Sequence, residues 1–311
     1  MEAYAYEAGN GNPVIRIKVT ATDLRTLAHR FSDKLTYQLT GEVGIAQTKI
    51  LYRSTRAGKS GVYLMDYDGQ NIQQVTADSS IFFPPRWSFD ATQIGYTEYQ
   101  HGVSDISLLQ LTTGLKTKIF SSKGLSFPPS WSADGKELVF SSTKEGQADL
   151  YKMWPDGSEL KRLTFHRAAD ISPTWSPTGR EIAFASDRGG SPQIYLIDAD
   201  GGNLRRLTYS GDYNTSAAWS PQGNDIAYTC RNGKGFLKIC IEKVQGEERV
   251  ELTVSGNWDD ESPSWSPNGR EITFTSNRSG ENQLFVIRPD RTGLLQLTAE
   301  GNNTSPAWAP Q

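Results

Sequence analysis

At 311 residues the chain is long enough to bury a sizeable core, in one large domain or two smaller ones. Its formal net charge is −3 and its Lys and Arg do not cluster, which excludes a nucleic-acid footprint or a basic membrane patch. No apolar run approaches the roughly 18 residues of a membrane span, and the opening MEAYAYEAGNGNPVIRIKVT lacks the basic-then-apolar order of a signal peptide. The chain is therefore either cytoplasmic or derived from a longer precursor.

Residues 1–42 stand apart from the remainder of the chain. EAYAYEAG and PVIRIKVT predict a hairpin about the turn Gly9-Asn10-Gly11-Asn12. A helix comes next, capped by Thr22 or Thr20, with Asp23 in its first turn and Gly41 at its end. Leu24, Leu27, Ala28, Phe31, Leu35 and Leu39 recur at helical spacing and are expected to form a core stripe. Two strands and a helix cannot bury that stripe alone, so this segment is expected to be the C-terminal part of an α/β domain or to pack on its neighbour.

From residue 43 to residue 311 the chain repeats itself. Trp87, Trp131, Trp175, Trp219, Trp265 and Trp308 are separated by 44, 44, 44, 46 and 43 residues. After each of the first five come a Ser, a turn and a short apolar strand, as in IAF at 182–184 or ITF at 272–274. A third strand, such as IYLIDADG, comes after it, and a fourth ends in Leu-Thr, as in KRLT, RRLT and LQLT. Each repeat is a four-stranded antiparallel meander. Radial stacking of such sheets buries both faces. The first repeat lacks its Trp strand, entering at TKILYRST, and the last segment, NNTSPAWAPQ, is a Trp strand with nothing after it. The two pieces complement each other, so the fold class is all-β, a six-bladed β-propeller closed by its C-terminal strand.

The Trp residues are expected to fill the space between blades, and the Asp-Gly pairs at 68–69, 134–135, 156–157 and 200–201 to make turns. Cys230 and Cys240, laid on the neighbouring repeat, fall on adjacent strands in opposite-facing positions and are read as unbridged. Catalytic motifs are absent: no G-x-S-x-G, H-E-x-x-H, phosphate-binding loop or dinucleotide fingerprint occurs. The three histidines, His29, His101 and His166, lie on unrelated segments.

The loops from each Leu-Thr strand to the next Trp strand open at one mouth of the channel, and loops on a rigid scaffold carry function. Five residues before each Trp stand Phe82, Ser126, Asp170, Asn214, Asp260 and Asn303. Four before stand Phe83, Phe127, Ile171, Thr215, Glu261 and Thr304. Ile81, Phe82, Phe83, Leu125 and Phe127 then form a candidate apolar patch. Opposite, Asp259, Asp260 and Glu261 can hold a basic group or, with Asp170, a cation such as a structural Ca²⁺ in the channel. Tyr213 lies beside Asn214 on the same rim.

SPTWSPTGREIAFASDRGG, SPSWSPNGREITFTSNRSG and FPPSWSADGKELVFSSTKEG, with the DxDG turn and terminal Leu-Thr, resemble the repeats of the TolB family. ATDLRTLAHRFSDKLTYQLTGEVGIAQTKILY resembles the junction of that family's N-terminal domain with its propeller. The resemblance implies a non-enzymatic, monomeric periplasmic protein of the Tol–Pal system, supporting outer-membrane integrity and cell division and exploited by some colicins. It implies binding of the lipoprotein Pal at the propeller mouth, here around Leu125, Ser126, Phe127 and Pro128 and around His166, Arg167, Asp170 and Ile171. Membrane association would then run through Pal alone. The family contacts TolA through its extreme N-terminus, for which residues 1–42 offer no counterpart. Two other readings stand beside this one. The first is a propeller enzyme, lyase-like or peptidase-associated, which needs a channel cluster of His, Arg or metal ligands. The second is a sugar or small-molecule sensor, which needs an open channel.

Overall fold

Six four-stranded antiparallel sheets form the bulk of the molecule, each starting from a Trp strand. The structure is a computed structural model and describes residues 2–6, 13–58, 60–76, 83–246, 249–254 and 256–310. The hairpin turn expected at Gly9–Asn12, and Ile81 and Phe82 of the expected apolar patch, lie outside the described residues. Blade four displays the pattern: Asp170–Trp175, Glu181–Ser186, Gln193–Asp198 and Arg205–Arg206, hydrogen-bonded in that order. The six Trp strands approach one another around a central channel and are therefore innermost. Blade one joins the two ends of the array: Asn303–Trp308 pairs antiparallel with Lys49–Ser54, Trp308 opposite Ile50. The ring closure read from the two unfinished ends is what the sheet order displays.

Between blades the tryptophans pack as expected. Trp175 joins Val139, Leu150 and Ile182, and Trp265 joins Ala227, Ile239 and Phe274, each cluster spanning two blades. The fit is tight enough to select residues beneath the ring. A β-carbon on Gly95 would meet the Trp131 indole at 2.7 Å, so this position has room for hydrogen only.

The innermost strands carry a bulge in four blades. Ser172, Ser216, Ser262 and Ser305 have φ of 53°, 54°, 56° and 55°, and the pairing register shifts there. Blades two and three have Pro84 and Pro128 at that position, and a proline ring forbids positive φ. Their innermost strands shrink to Arg86–Trp87 and Ser130–Trp131.

A two-stranded hairpin, β1 (Glu2–Tyr6) and β2 (Pro13–Lys18), precedes a helix α1 (Leu24–Thr40). The N-cap is Asp23, not Thr22 or Thr20. Its Oδ1 accepts the Thr26 backbone N–H at 2.8 Å, which satisfies a donor that no earlier residue reaches. Gly41 ends the helix at φ 73°. The expected core stripe is a correction: no residue of the helix is buried, Leu24, Ala28 and Leu39 are exposed, and Leu27, Phe31 and Leu35 are half-buried. What anchors the helix to blade one is charge. Arg25 bonds Asp66 at 2.8 Å and Asp68 at 2.6 Å, at the turn end of the blades opposite the Leu-Thr loops.

Cys230 and Cys240 form a disulfide, which corrects the unbridged reading. In blade four Ser186 pairs with Gln193, but in blade five Cys230 pairs with Lys238, so the hairpin between them is one residue longer. One inserted residue inverts the side-chain parity of the following strand. Both sulfurs therefore enter the apolar cluster between blades four and five, with Ile194, Leu196 and Tyr228. Closing this short loop, with a sequence separation of 10, is worth roughly 2–3 kcal/mol. The double variant Cys230→Ser, Cys240→Ser is expected to lose that much in urea unfolding. An unchanged midpoint would mean that the thiols are not joined.

Candidate functional site

In blades three to six the mouth loop is fastened before it reaches the channel. The threonine of each Leu-Thr pair accepts a backbone N–H from the third strand: Thr164 from Leu150, Thr208 from Ile194, Thr253 from Ile239 and Thr298 from Leu284, at 2.9–3.0 Å. In blades four and six the hydroxyl passes its proton on. Thr208 donates to Gln193 Oε1 and Thr298 to Gln283 Oε1, both at 2.7 Å. Those amide oxygens also accept from Asn214 and Asn303 of the next blade, both at 2.8 Å. The Leu-Thr signature thus stitches one blade's outer strand to the next blade's inner strand.

This network corrects part of the expected mouth. Ser126, Asp170, Asn214 and Asp260 are fully buried and Asn303 is 1% exposed, so none of them presents its side chain to a partner. Ser126 bonds Ser142 and Ser122, and Arg188 grips both oxygens of Asp170 at 2.8 Å. Arg278 donates to Asp260 Oδ1 at 2.7 Å, and Lys238 Nζ stands 3.6 Å from Oδ2. The reason is local: in blades one, four, five and six the residue five before the Trp begins the inner strand and is buried, where only neutralised or hydrogen-bonded groups are tolerated.

The expected cation site changes for the same reason. The positive charges beside Asp170 and Asp260 are the side chains of Arg188, Arg278 and Lys238, and among the described residues no three His, Cys, Asp or Glu converge. Asp259 is half-buried and accepts the Leu237 N–H at 2.8 Å. Glu261 is half-buried at the mouth, and burial, reinforced by Asp259, pushes its carboxyl above the usual range.

Other expected residues do reach the rim. Phe83 and Phe127 are half-buried with ring centres 4.6 Å apart, Leu125 is 37% exposed, and Pro128 is buried. His166 and Arg167 are exposed, His166 Nδ1 accepting the Ala168 N–H at 3.1 Å. Ile171 and Tyr213 are half-buried.

The most exposed aromatics of this face are two that sequence reasoning missed. Phe165 is 74% and Tyr209 73% exposed, each directly after a Leu-Thr pair on successive loops. Arg162 lies 4.8 Å from the Phe165 ring centre, Arg206 4.9 Å from Tyr209 and Arg231 4.7 Å from Tyr213. Trp258 is held between Lys238 and Arg278, both at 5.3 Å. The signal was available in KRLTF and RRLTY, where an aromatic follows the last fixed position of the repeat and an Arg stands three residues before it. Beside Phe83, Leu125 and Phe127, the rest of the described rim is aromatic and basic rather than acidic.

A closed ring of six four-stranded blades, with the tryptophan strand innermost and the Leu-Thr strand outermost, defines the class as a six-bladed β-propeller. Residues 37–311 match the TolB beta propeller domain, PD40, and the chain belongs to the TolB family. It is 41% identical over 96 residues to the Tol-Pal system protein TolB of Geobacter metallireducens, covering 30% of this chain and 22% of that protein. With the TolB homolog of Chlorobium chlorochromatii the figures are 36% over 121 residues, 38% of this chain and 28% of that one. The matched stretches thus span about a quarter of the curated relatives' length. The crystal structure of TolB from Acinetobacter baumannii superposes with a TM-score of 0.85 at 30% identity, covering 96% of this chain and 75% of that one. An oligogalacturonate lyase in complex with manganese, at 16% identity and a TM-score of 0.56 over 80% of this chain and 73% of that one, shares the fold alone. Among the described residues no helix is long and apolar enough to cross a membrane.

Proposed function

We propose that this propeller is a non-enzymatic, monomeric component of the Tol–Pal envelope system that works in the periplasm. In this reading it binds the lipoprotein Pal over the mouth formed by the Leu-Thr loops, and is held at the outer membrane only through Pal. The observation that carries the docking is the exposed aromatic and basic rim. Large rings backed by guanidinium groups are the composition of interface anchors, and Phe165 and Tyr209 stand open on adjacent loops. The disulfide supports an oxidising compartment. The non-enzymatic reading is supported by the engagement of Asp170 and Asp260 with Arg and Lys side chains, which leaves neither carboxylate free to hold a metal.

Calorimetric titration with the soluble domain of Pal tests this. Phe165→Ser and Tyr209→Ser are each expected to weaken binding roughly ten- to a hundredfold, about 1.4–2.8 kcal/mol, with melting temperature unchanged because both rings lie mostly outside the fold. Unaltered affinity in the double variant would remove Pal from this face.

A further inference from the structure

The central channel opens at the end opposite the Leu-Thr loops into a cavity of about 500 Å³. Position for position, the residue before each Trp lines it: Arg86, Ser130, Thr174, Ala218, Ser264 and Ala307. Arg86 is the only charged residue on the cavity wall among the described residues; no Asp, Glu, Lys or His lines it. Its guanidinium makes no hydrogen bond, ion pair or ring contact with any described residue, whereas the buried Lys238 has both a carbonyl and a carboxylate beside it.

Arg86 is half-buried, and a partly desolvated charge without a partner among the described residues is costly, a cost arginine cannot escape by losing its proton at neutral pH. Desolvation pushes the Arg86 guanidinium below its ordinary range. The ring accepts a small side chain at this position, since Ala218 and Ala307 hold it in other blades. Arg86 is therefore not a packing requirement of the repeat. What it supplies is five N–H donors facing a cavity whose walls carry serine hydroxyls at Ser130 and Ser264 and a threonine hydroxyl at Thr174. A guanidinium that shares a cavity with hydroxyls, with no acid lining it among the described residues, is a receptor for an oxyanion, which it can take in bidentate fashion.

We propose that Arg86 makes the propeller channel a binding site for a small oxyanion, a carboxylate or phosphate group that fits the cavity. The site is separate from the Leu-Thr rim, so Pal affinity is expected to be the same in an Arg86→Gln variant. Melting temperature is measured with sodium acetate or sodium phosphate against sodium chloride at matched ionic strength. Wild type is expected to gain stability with at least one of the two oxyanions, the stronger identifying the preferred group, and Arg86→Gln is expected to need at least roughly tenfold more anion for the same gain. In chloride alone, Arg86→Met is expected to melt higher than wild type, because an unpaired charge has been replaced by an apolar chain. Calorimetric titration of the wild-type protein with each anion supplies a measurement that needs no variant. Equal stabilisation of wild type and Arg86→Gln, or no heat and no shift with either anion in wild type, overturns the assignment.

Discussion

Asp260→Ala is expected to cost about 3–5 kcal/mol of folding stability, because it strands two cations inside the ring. The carboxylate is fully buried, with Arg278 at 2.7 Å and Lys238 at 3.6 Å, and the Lys238 side chain is itself 0% exposed. Burial pushes the Lys238 ammonium below its ordinary value of 10.5, and Asp260 is the largest influence holding it up against that and against Arg278. Without Asp260 the ammonium keeps the Trp258 carbonyl at 2.7 Å but loses its counter-charge. The pH dependence comes from the direction of that shift. A lysine whose folded pKa lies below its unfolded one binds fewer protons when folded, so stability rises with pH between the two values. The deficit of Asp260→Ala is therefore expected to shrink as pH is raised from about 7 towards 10. Urea unfolding at several pH values checks both parts. A loss below about 1 kcal/mol, constant across pH, would mean that water already compensates the cluster.

The fold was legible because its signal is repeated. Six tryptophans at near-constant spacing, and two unfinished ends that complete each other, specify blade number and closure together. What stayed hidden depends on parity or depth, which spacing does not carry. A hairpin one residue longer in blade five turned Cys240 to the face of Cys230, and only the pairing register reveals it. Asp170 and Asp260 read as mouth acids because their loops lead to the mouth, yet the first residue of each inner strand turns between blades to meet Arg188 and Arg278. Both arginines lie 18 residues downstream of their partners, a separation that blades four and six share and that was open to reading as a pair. Phe165 and Tyr209 escaped notice because they lie upstream of the positions four and five before each Trp, in the part of the loop where the repeat holds no fixed residue.

Truncation after Glu300, which removes the closing strand, is expected to abolish cooperative folding, whereas Trp308→Ala is expected to cost about 3–5 kcal/mol and leave the ring closed. The strand Asn303–Trp308 is the innermost layer of blade one, and every other strand of that blade comes from the far end of the array. Its hydrogen bonds reach three blades. The Trp308 N–H donates to Ser264 of blade six at 2.9 Å, its indole N–H to Thr48 at 2.8 Å, and the Ala307 carbonyl accepts the Trp87 indole of blade two at 2.9 Å. Losing the Trp308 side chain removes a large buried ring and one of these bonds, but the backbone pairing to Lys49–Ser54 persists. Losing the strand leaves Lys49–Ser54 as an unpaired edge at the channel and leaves the Trp87 indole N–H without its acceptor. The two deletions differ in kind because closing the ring fixes chain segments some 250 residues apart, an entropy cost that rises only slowly with loop length and is met once, by this strand. Interior variants tap only a single blade interface, so Trp175→Ala is expected to resemble Trp308→Ala in cost and not the truncation. Scanning calorimetry separates the cases: a sharp but lowered transition for both tryptophan variants, and no cooperative transition for the truncated chain. A truncated chain that melts sharply within a few degrees of wild type would mean that the other five blades hold their arc without the latch.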